Sequence, residues 1–181
     1  MLIKICGITT LDDALQAAEA GAGALGFNFW PRSPRYIEPP AAAAIIERLP
    51  GNVLTVGVFV DEPAARIEEI SQIAGIEVAQ VHGSAEGLRM RWWQAWPATF
   101  DRIREKMEVS LAEAFLIDTP AGEMRGGTGR TFDWTLAANL PRKVVLAGGL
   151  APENVAAAIT AAHPWGVDAC SRLEREPGRK D

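Results

Sequence analysis

Eight short apolar segments rich in Val, Ile, Phe and Leu recur along this 181-residue sequence, and amphipathic segments rich in Ala and Glu separate them. This alternation is typical of β-α-β units, in which helices join parallel strands. Eight such strands are the number that closes a parallel (β/α)8 barrel. Because no linker or change of composition interrupts the pattern, we expect a single α/β barrel domain over residues 1–181. The predicted strands are Leu2–Cys6, Ala24–Trp30, Leu54–Val60, Val78–His82, Trp92–Pro97, Ala114–Asp118, Val144–Ala147 and Gly166–Ala169.

The segments between the strands predict most, but not all, of the helices that a barrel needs. The segment between His82 and Trp92 has room for about two helical turns, whereas a parallel crossover usually takes about a dozen residues or more. The eighth strand is followed closely by Asp181. The sequence therefore predicts a shortened fourth helix and no final helix, which favours a weakened monomer or a homodimer that covers the exposed surface. The predicted helices are Leu11–Ala20, Ala41–Leu49, Ala64–Ala74, Trp134–Asn139 and Glu153–Ala162, with a sixth within Thr99–Glu113.

Charge and composition exclude several classes of function. The formal net charge of −5 gives no general attraction to nucleic acid or to an anionic membrane, so neither is an expected partner. No apolar run approaches the roughly 20 residues of a membrane helix, and we expect a cytoplasmic protein. Cys6 and Cys170 lie far apart in the sequence, without the spacing of metal ligands. The two cysteines therefore do not predict a metal site.

Two side chains stand at strand ends, where barrel enzymes place their active sites. Cys6 ends the first predicted strand, and its thiol can accept a proton if nearby positive charge favours the thiolate. A small buried hydrophobic residue is an equally good interpretation of Cys6. Asp118 ends the sixth predicted strand and suits a general acid if burial raises its pKa. The alternative for Asp118 is a loop carboxylate that accepts backbone hydrogen bonds.

Glycine-rich loops after the last three strands predict a site for a phosphorylated small molecule. Backbone amides in such loops bind phosphate without any net positive charge, and the loops after strands seven and eight are a frequent phosphate site in barrels. Arg35, in the loop after strand two, is suited to a carboxylate or phosphate, and His82 ends strand four. The candidate binding residues are Arg35, His82, Gly129, Gly148, Gly149, Asp168 and Ser171.

Motifs along nearly the whole chain resemble those of the phosphoribosylanthranilate isomerase family, and they occur in the order of that family. The matching segments are Lys4-Ile5-Cys6-Gly7-Ile8-Thr9, Gly26-Phe27-Asn28-Phe29, Ser33-Pro34-Arg35-Tyr36-Ile37, Val56-Gly57-Val58-Phe59-Val60, His82-Gly83, Leu116-Ile117-Asp118-Thr119, Gly126 to Trp134 and Gly148 to Val155.

The resemblance implies an isomerase of tryptophan biosynthesis that performs an Amadori rearrangement without metal or cofactor. The furanose ring of N-(5-phosphoribosyl)anthranilate opens, and the open-chain intermediate becomes an amino-ketose. By the family pattern Asp118 is the general acid that protonates the ring oxygen, and Cys6 is the general base that removes the proton from sugar carbon 2. Arg35 matches the residue that holds the anthranilate carboxylate.

The chain departs from the family pattern at three positions near the predicted site. Arg172 replaces a glycine after strand eight, where it either crowds the phosphate-binding amides or compensates with its charge. Cys170 replaces a serine, which exchanges a good hydrogen-bond donor for a weak one. Gln94 stands on strand five where the family commonly has lysine.

Two other functions remain open at this point. One is a degraded, non-catalytic barrel that still binds a phosphorylated ligand, which Arg172 and the missing helices favour. The other is a related enzyme such as indole-glycerol-phosphate synthase, whose chemistry needs lysines at strand ends. We expect none of the four lysines to be placed for such chemistry: Lys4, Lys106, Lys143 and Lys180.

Overall fold

Eight parallel strands close into a barrel in which each strand pairs with its neighbours in the sequence and β8 pairs with β1. The structure is a computed structural model that describes residues 1–98, 102–119 and 131–181. The barrel strands are β1 (Leu2–Cys6), β2 (Ala24–Asn28), β3 (Leu54–Val60), β4 (Val78–His82), β5 (Trp92–Pro97), β6 (Ala114–Asp118), β7 (Val144–Leu146) and β8 (Gly166–Ala169).

Two strands end earlier than the sequence predicted, and each has a local cause. β2 ends at Asn28 instead of Trp30, since the Asn28 side chain accepts a hydrogen bond from the Trp30 backbone N–H at 2.9 Å and turns the chain. β7 ends at Leu146, two residues before Gly148, whose φ of +90° is incompatible with a strand. The other six strands have the predicted bounds.

Five α-helices cover the barrel among the described residues. Thr10 caps the first, since its hydroxyl accepts a hydrogen bond from the Asp13 backbone N–H, and Gly75 ends the third in a left-handed conformation. The segment predicted as a helix from Trp134 forms a short 3₁₀ helix, Trp134–Ala137. The α-helices are α1 (Leu11–Glu19), α2 (Pro39–Ile46), α3 (Ala64–Ala74), α4 (Ile103–Val109) and α5 (Val155–Ala162).

The fourth crossover contains no helix at all. Residues 83–91 connect β4 to β5 through turns, and the Arg89 backbone N–H donates to the Glu68 carboxylate of α3 at 2.7 Å. On β5, Trp93 is fully buried inside the barrel, where it meets the Trp165 ring edge-on at 6.0 Å. The barrel therefore closes without a helix at this crossover.

The chain ends in a hairpin instead of a final helix. A 3₁₀ helix, Ser171–Leu173, leads into β9 (Glu174–Glu176), which pairs antiparallel with β10 (Arg179–Lys180). The Thr9 hydroxyl, in the loop after β1, donates to the Gly178 carbonyl at 2.5 Å. The hairpin is thereby tied to the end of the barrel at which the strands terminate. Within the described ranges, no helix is long and apolar enough to cross a membrane.

Candidate active site

Cys6 and Asp118 both lie at the mouth of the barrel, at the carboxyl ends of β1 and β6. Cys6 is only 8% exposed. Asp118 is partly exposed, and one of its carboxylate oxygens accepts the Thr119 backbone N–H at 2.7 Å. Burial raises the pKa of Asp118 to about 6, with a smaller contribution from the Cys6 charge, whereas the Thr119 hydrogen bond and Lys4 oppose the rise.

The sulfur of Cys6 lies among groups that stabilise a thiolate. A hydrogen bond from Cys170 is the largest cause that lowers the pKa of Cys6, and the positive charges of Lys4 and Lys180 lower it further. Burial opposes this shift, but the pKa remains well below that of an ordinary thiol. The two groups at the mouth are thus shifted in opposite directions, one toward a base that is ionised and one toward an acid that keeps its proton.

Lys4 is a site residue that the sequence prediction missed. It is completely buried inside the barrel, and its ammonium group donates to the Asp168 carboxylate at 2.8 Å. A methyl group on Gly26 would lie 2.7 Å from Cys6 Sγ and 3.1 Å from Lys4 Nζ, so both atoms lie over the same glycine. Because side chains alternate along a strand, Lys4 shares its face with Cys6, and that alternation was the signal available in the sequence.

Asp168, predicted to bind substrate, forms a buried ion pair with Lys4. Its residue exposure is 8%, and burial raises the pKa of its carboxyl group while Lys4 opposes the rise. Burial alone would lower the pKa of Lys4, but the charges of Asp168 and Cys6 reverse that effect and raise it above its usual value. Lys4 is therefore a stable positive charge beneath the Cys6 sulfur.

Arg35 is held by the C-terminal hairpin. Its Nε and Nη2 atoms donate to the Glu174 carboxylate over 2.6–3.0 Å in a bidentate ion pair, with side-chain exposures of 11% for Arg35 and 3% for Glu174. Burial would raise the pKa of Glu174, but Arg35 and Lys180 hold it below its usual value. This bidentate pair fixes the orientation of the guanidinium group at the mouth.

Lys180 is a second lysine at the site, contrary to the expectation from the sequence. Its ammonium group donates to the Cys6 carbonyl at 2.5 Å and to Glu174 at 3.0 Å. Lys180 reaches the site only because β10 folds back on β9. No local pattern in the sequence predicts this hairpin.

His82 and Gln94 lie on neighbouring strands at another part of the mouth. The His82 ring nitrogen Nε2 lies 3.3 Å from the Gln80 side-chain amide nitrogen. Gln94, which stands where the family commonly has lysine, is 7% exposed, and its amide donates to the Val81 and Gly83 carbonyls at 3.0 and 3.1 Å. Gln94 thus supports the end of β4 and the loop that follows His82.

The loops after β7 and β8, predicted to bind phosphate, approach each other at the mouth. The Asn154 side chain orders the first loop, since it donates to the Gly149 carbonyl and accepts from the Ala151 N–H, both at 2.9 Å. Arg172 forms an exposed ion pair with Glu153 and so links the two loops. Ser171 begins the 3₁₀ helix in the second loop. Gly129, the remaining candidate, lies outside the described residues.

Gly148 is expected to tolerate no side chain. Its φ is +90°, and a Cβ there would lie 2.2 Å from Thr119 Oγ1 and 2.9 Å from the Asp118 carboxylate. Gly148→Ala should lower the free energy of unfolding by about 2 kcal/mol or more, through backbone strain and overpacking. Chemical denaturation measures this loss. Gly51→Ala is the matched control, since a Cβ at Gly51 meets no atom within 4 Å. Equal stability of the two variants would contradict the prediction.

The described residues include no group of three or more His, Cys, Asp or Glu side chains that could hold a metal ion. Among the described residues, the reactive groups at the mouth include thiols, carboxyls, lysines, an imidazole and a guanidinium. Their arrangement is suited to moving protons on an anionic ligand.

Comparisons with known proteins identify the family of this chain. A sequence model of the N-(5'-phosphoribosyl)anthranilate (PRA) isomerase family matches residues 3–181. The N-(5'-phosphoribosyl)anthranilate isomerase of Solibacter usitatus is 50% identical over 186 residues, covering 100% of this chain and 92% of that protein. The crystal structure of the Thermus thermophilus phosphoribosyl anthranilate isomerase superposes with a TM-score of 0.90 at 38% identity, covering 100% of this chain and 92% of that one.

A further crystal structure shows such an isomerase in complex with reduced 1-(o-carboxyphenylamino)-1-deoxyribulose 5-phosphate. It superposes with a TM-score of 0.84 at 37% identity and covers 100% of this chain and 93% of that one. The sequence match and the fold both extend over essentially the whole chain. The chain belongs to the N-(5'-phosphoribosyl)anthranilate isomerase family.

Proposed function

We propose that Cys6 is the general base and Asp118 the general acid of the isomerisation that defines this family, a step of tryptophan biosynthesis. The observation that carries this division of roles is the pair of opposite pKa shifts at one barrel mouth. The pKa of the Cys6 thiol is lowered, whereas burial raises the pKa of Asp118 to about 6. Two groups whose environments separate their pKa values in this way are suited to act as base and acid near neutral pH.

The reaction begins when Asp118 gives its proton to the furanose ring oxygen. The bond between that oxygen and sugar carbon 1 breaks, and the lone pair of the anthranilate nitrogen forms a C=N bond to carbon 1. The Cys6 thiolate then takes the proton from carbon 2, and the C–H electron pair forms a C1=C2 bond as the C=N electrons return to nitrogen. Proton transfer from the carbon 2 hydroxyl to carbon 1 gives the amino-ketose. One proton is donated and one removed, as an isomerisation requires.

Arg35 is the proposed anchor for the anthranilate carboxylate. The Nε and Nη2 atoms of Arg35 donate to Glu174. We propose that its Nη1 group donates to the anthranilate carboxylate. For the phosphate we propose the loops that carry Gly148, Gly149 and Ser171, together with Gly129. His82 and Asp168 complete the proposed substrate contacts.

The test is turnover of N-(5'-phosphoribosyl)anthranilate by the purified wild type, followed by the loss of anthranilate-type fluorescence. The protein is produced in a host that lacks its own isomerase, so that contamination contributes no rate. The matched control substrate is the same riboside without its phosphate, which should react far more slowly if the loops bind phosphate. Binding of substrate without turnover would favour the non-catalytic barrel and contradict the proposal.

The proposed location in the cell follows from the charge of the substrate. A phosphorylated metabolite is retained where it is made, so we propose the cytoplasm as the location.

A monomer or a homodimer remains the prediction for assembly, and light scattering on the purified protein measures it.

A further inference from the structure

A second thiol lies beside the proposed base, across the strand pair that closes the barrel. β1 and β8 are neighbours in register, with Ile5 opposite Ala169. The next residue on each side is a cysteine, so continuation of this register would place Cys6 beside Cys170 where the strands end. Adjacent strands lie about 4.8 Å apart. A Cβ built on Gly7, the residue after Cys6, would lie 3.0 Å from the Cys170 sulfur, so the Cys170 thiol lies beside the end of β1, within reach of Cys6.

Only one of the two sulfurs can carry the negative charge while the other donates. Lys4 lies on the Cys6 side, where its ammonium group and the Cys6 sulfur share the space over Gly26. The Glu174 carboxylate lies on the other side, 3.9 Å from the Cys170 sulfur, and the charges of Arg35 and Lys180, both paired with Glu174, partly offset it there. A cation favours a neighbouring thiolate and an anion disfavours one. The surroundings therefore assign the thiolate to Cys6 and the proton to Cys170.

The proton of Cys170 has two possible acceptors, and Cys6 is the better one. Glu174 lies at 3.9 Å and already accepts hydrogen bonds from Arg35 and Lys180. The Cys6 thiolate carries a full charge and has lost most of its hydration, since Cys6 is 8% exposed. A buried charge gains most from a donor that replaces water.

We propose that Cys170 is a positioning residue of the isomerisation, whose thiol donates the hydrogen bond that keeps Cys6 in its thiolate form and fixes the direction of the Cys6 sulfur. The proposal rests on the role of Cys6 as the base. A serine hydroxyl at position 170 would supply a hydrogen bond of the same kind. Cys170 does not itself exchange protons with the substrate.

The experiment measures the ionisation of Cys6 in two independent ways in the full-length protein. The first is the pH dependence of Cys6 alkylation by iodoacetamide, quantified on the Cys6 peptide by mass spectrometry, which needs no substrate. The second is the acidic limb of the pH profile of kcat/KM. The variants are Cys170→Ala, which removes the donor, and Cys170→Ser, which keeps one. Arg175→Ala, on the exposed hairpin strand β9, is the control.

Cys170→Ala should move the midpoint of Cys6 alkylation and the acidic limb of kcat/KM upward together, by about one pH unit. Cys170→Ser should restore both to near the wild-type values, and Arg175→Ala should leave both unchanged. An unchanged alkylation midpoint in Cys170→Ala overturns the role of Cys170 but leaves the function of the enzyme intact. If the alkylation midpoint shifts but the acidic limb of kcat/KM does not, Cys6 is not the base, and the proposal fails because it rests on that role.

Discussion

Asp118→Asn is expected to lower kcat/KM by about 10²- to 10⁴-fold, the usual contribution of a positioned general acid. Asparagine retains the shape of the side chain and a hydrogen-bonding oxygen for the Thr119 N–H, but it has no acidic proton to give to the ring oxygen. The measurement is steady-state turnover of N-(5'-phosphoribosyl)anthranilate by each variant. Asp12→Asn, an exposed carboxylate in the first turn of α1, is the matched control and should retain wild-type activity.

The pH profile makes this prediction specific to Asp118. Since the acid must be protonated and its pKa is about 6, the wild-type kcat/KM should fall as pH rises above about 6, approaching tenfold per pH unit. That alkaline limb should disappear in Asp118→Asn. An Asp118→Asn variant that keeps more than a tenth of the wild-type rate, or the same alkaline limb, would show that another group donates the proton.

Lys4→Met is expected to lower the free energy of unfolding by about 3–5 kcal/mol at alkaline pH, where wild-type Asp168 is ionised. Methionine has a similar volume, but it leaves the Asp168 carboxyl group buried without its cation. Removing one member of a buried ion pair costs more than removing both, because the remaining carboxyl group must either be charged without a partner or keep a proton that the unfolded chain gives up. Urea denaturation at several pH values measures the loss.

Asp168 determines whether the stability of the Lys4→Met variant rises or falls with pH. The unfolded chain ionises Asp168 near pH 3.9, whereas the folded variant retains the proton because burial is no longer opposed by Lys4. The unfolded state then binds fewer protons than the folded state, so the variant loses stability as pH rises. The deficit relative to wild type should grow above about pH 7, where wild-type Asp168 ionises beside Lys4.

The double variant Lys4→Met/Asp168→Asn separates charge from packing. Since it removes both charges, it should recover a large part of the stability lost in Lys4→Met, and its deficit should vary little with pH. A double variant as unstable as Lys4→Met would show that packing, and not the unpaired carboxylate, causes the loss.

The strands were predictable because a barrel strand is buried on both faces. β3, for example, is apolar except for Thr55, and all of its residues are buried except Leu54 at its start. The structure of the fourth crossover was less predictable than the strands. Its shortness was visible in the sequence, but the replacement of a helix by turns depends on contacts with α3, such as that between Arg89 and Glu68.

At the site, strand ends were the predictable part. Cys6 and Asp118 were candidates by the rule that barrel enzymes use the carboxyl ends of their strands, and the family resemblance then implied their roles. Lys180 and Glu174 were not predictable, because they reach Arg35 and Cys6 only through the return of the C-terminal hairpin. Cys170 was visible as a departure from the family pattern, but its pairing with Cys6 exists only once β8 lies beside β1.

The strand pair that closes the barrel also sets an order of events during synthesis of the chain. Lys4 and Asp168 are separated by 164 positions, so Lys4 emerges from the ribosome long before its partner. Until β8 docks, β1 presents an unpaired edge and its lysine must remain hydrated. A nascent chain that ends before β8 therefore has an open sheet and no counter-charge for Lys4. Docking of β8 onto β1 therefore closes the barrel and completes the surroundings of Cys6 together.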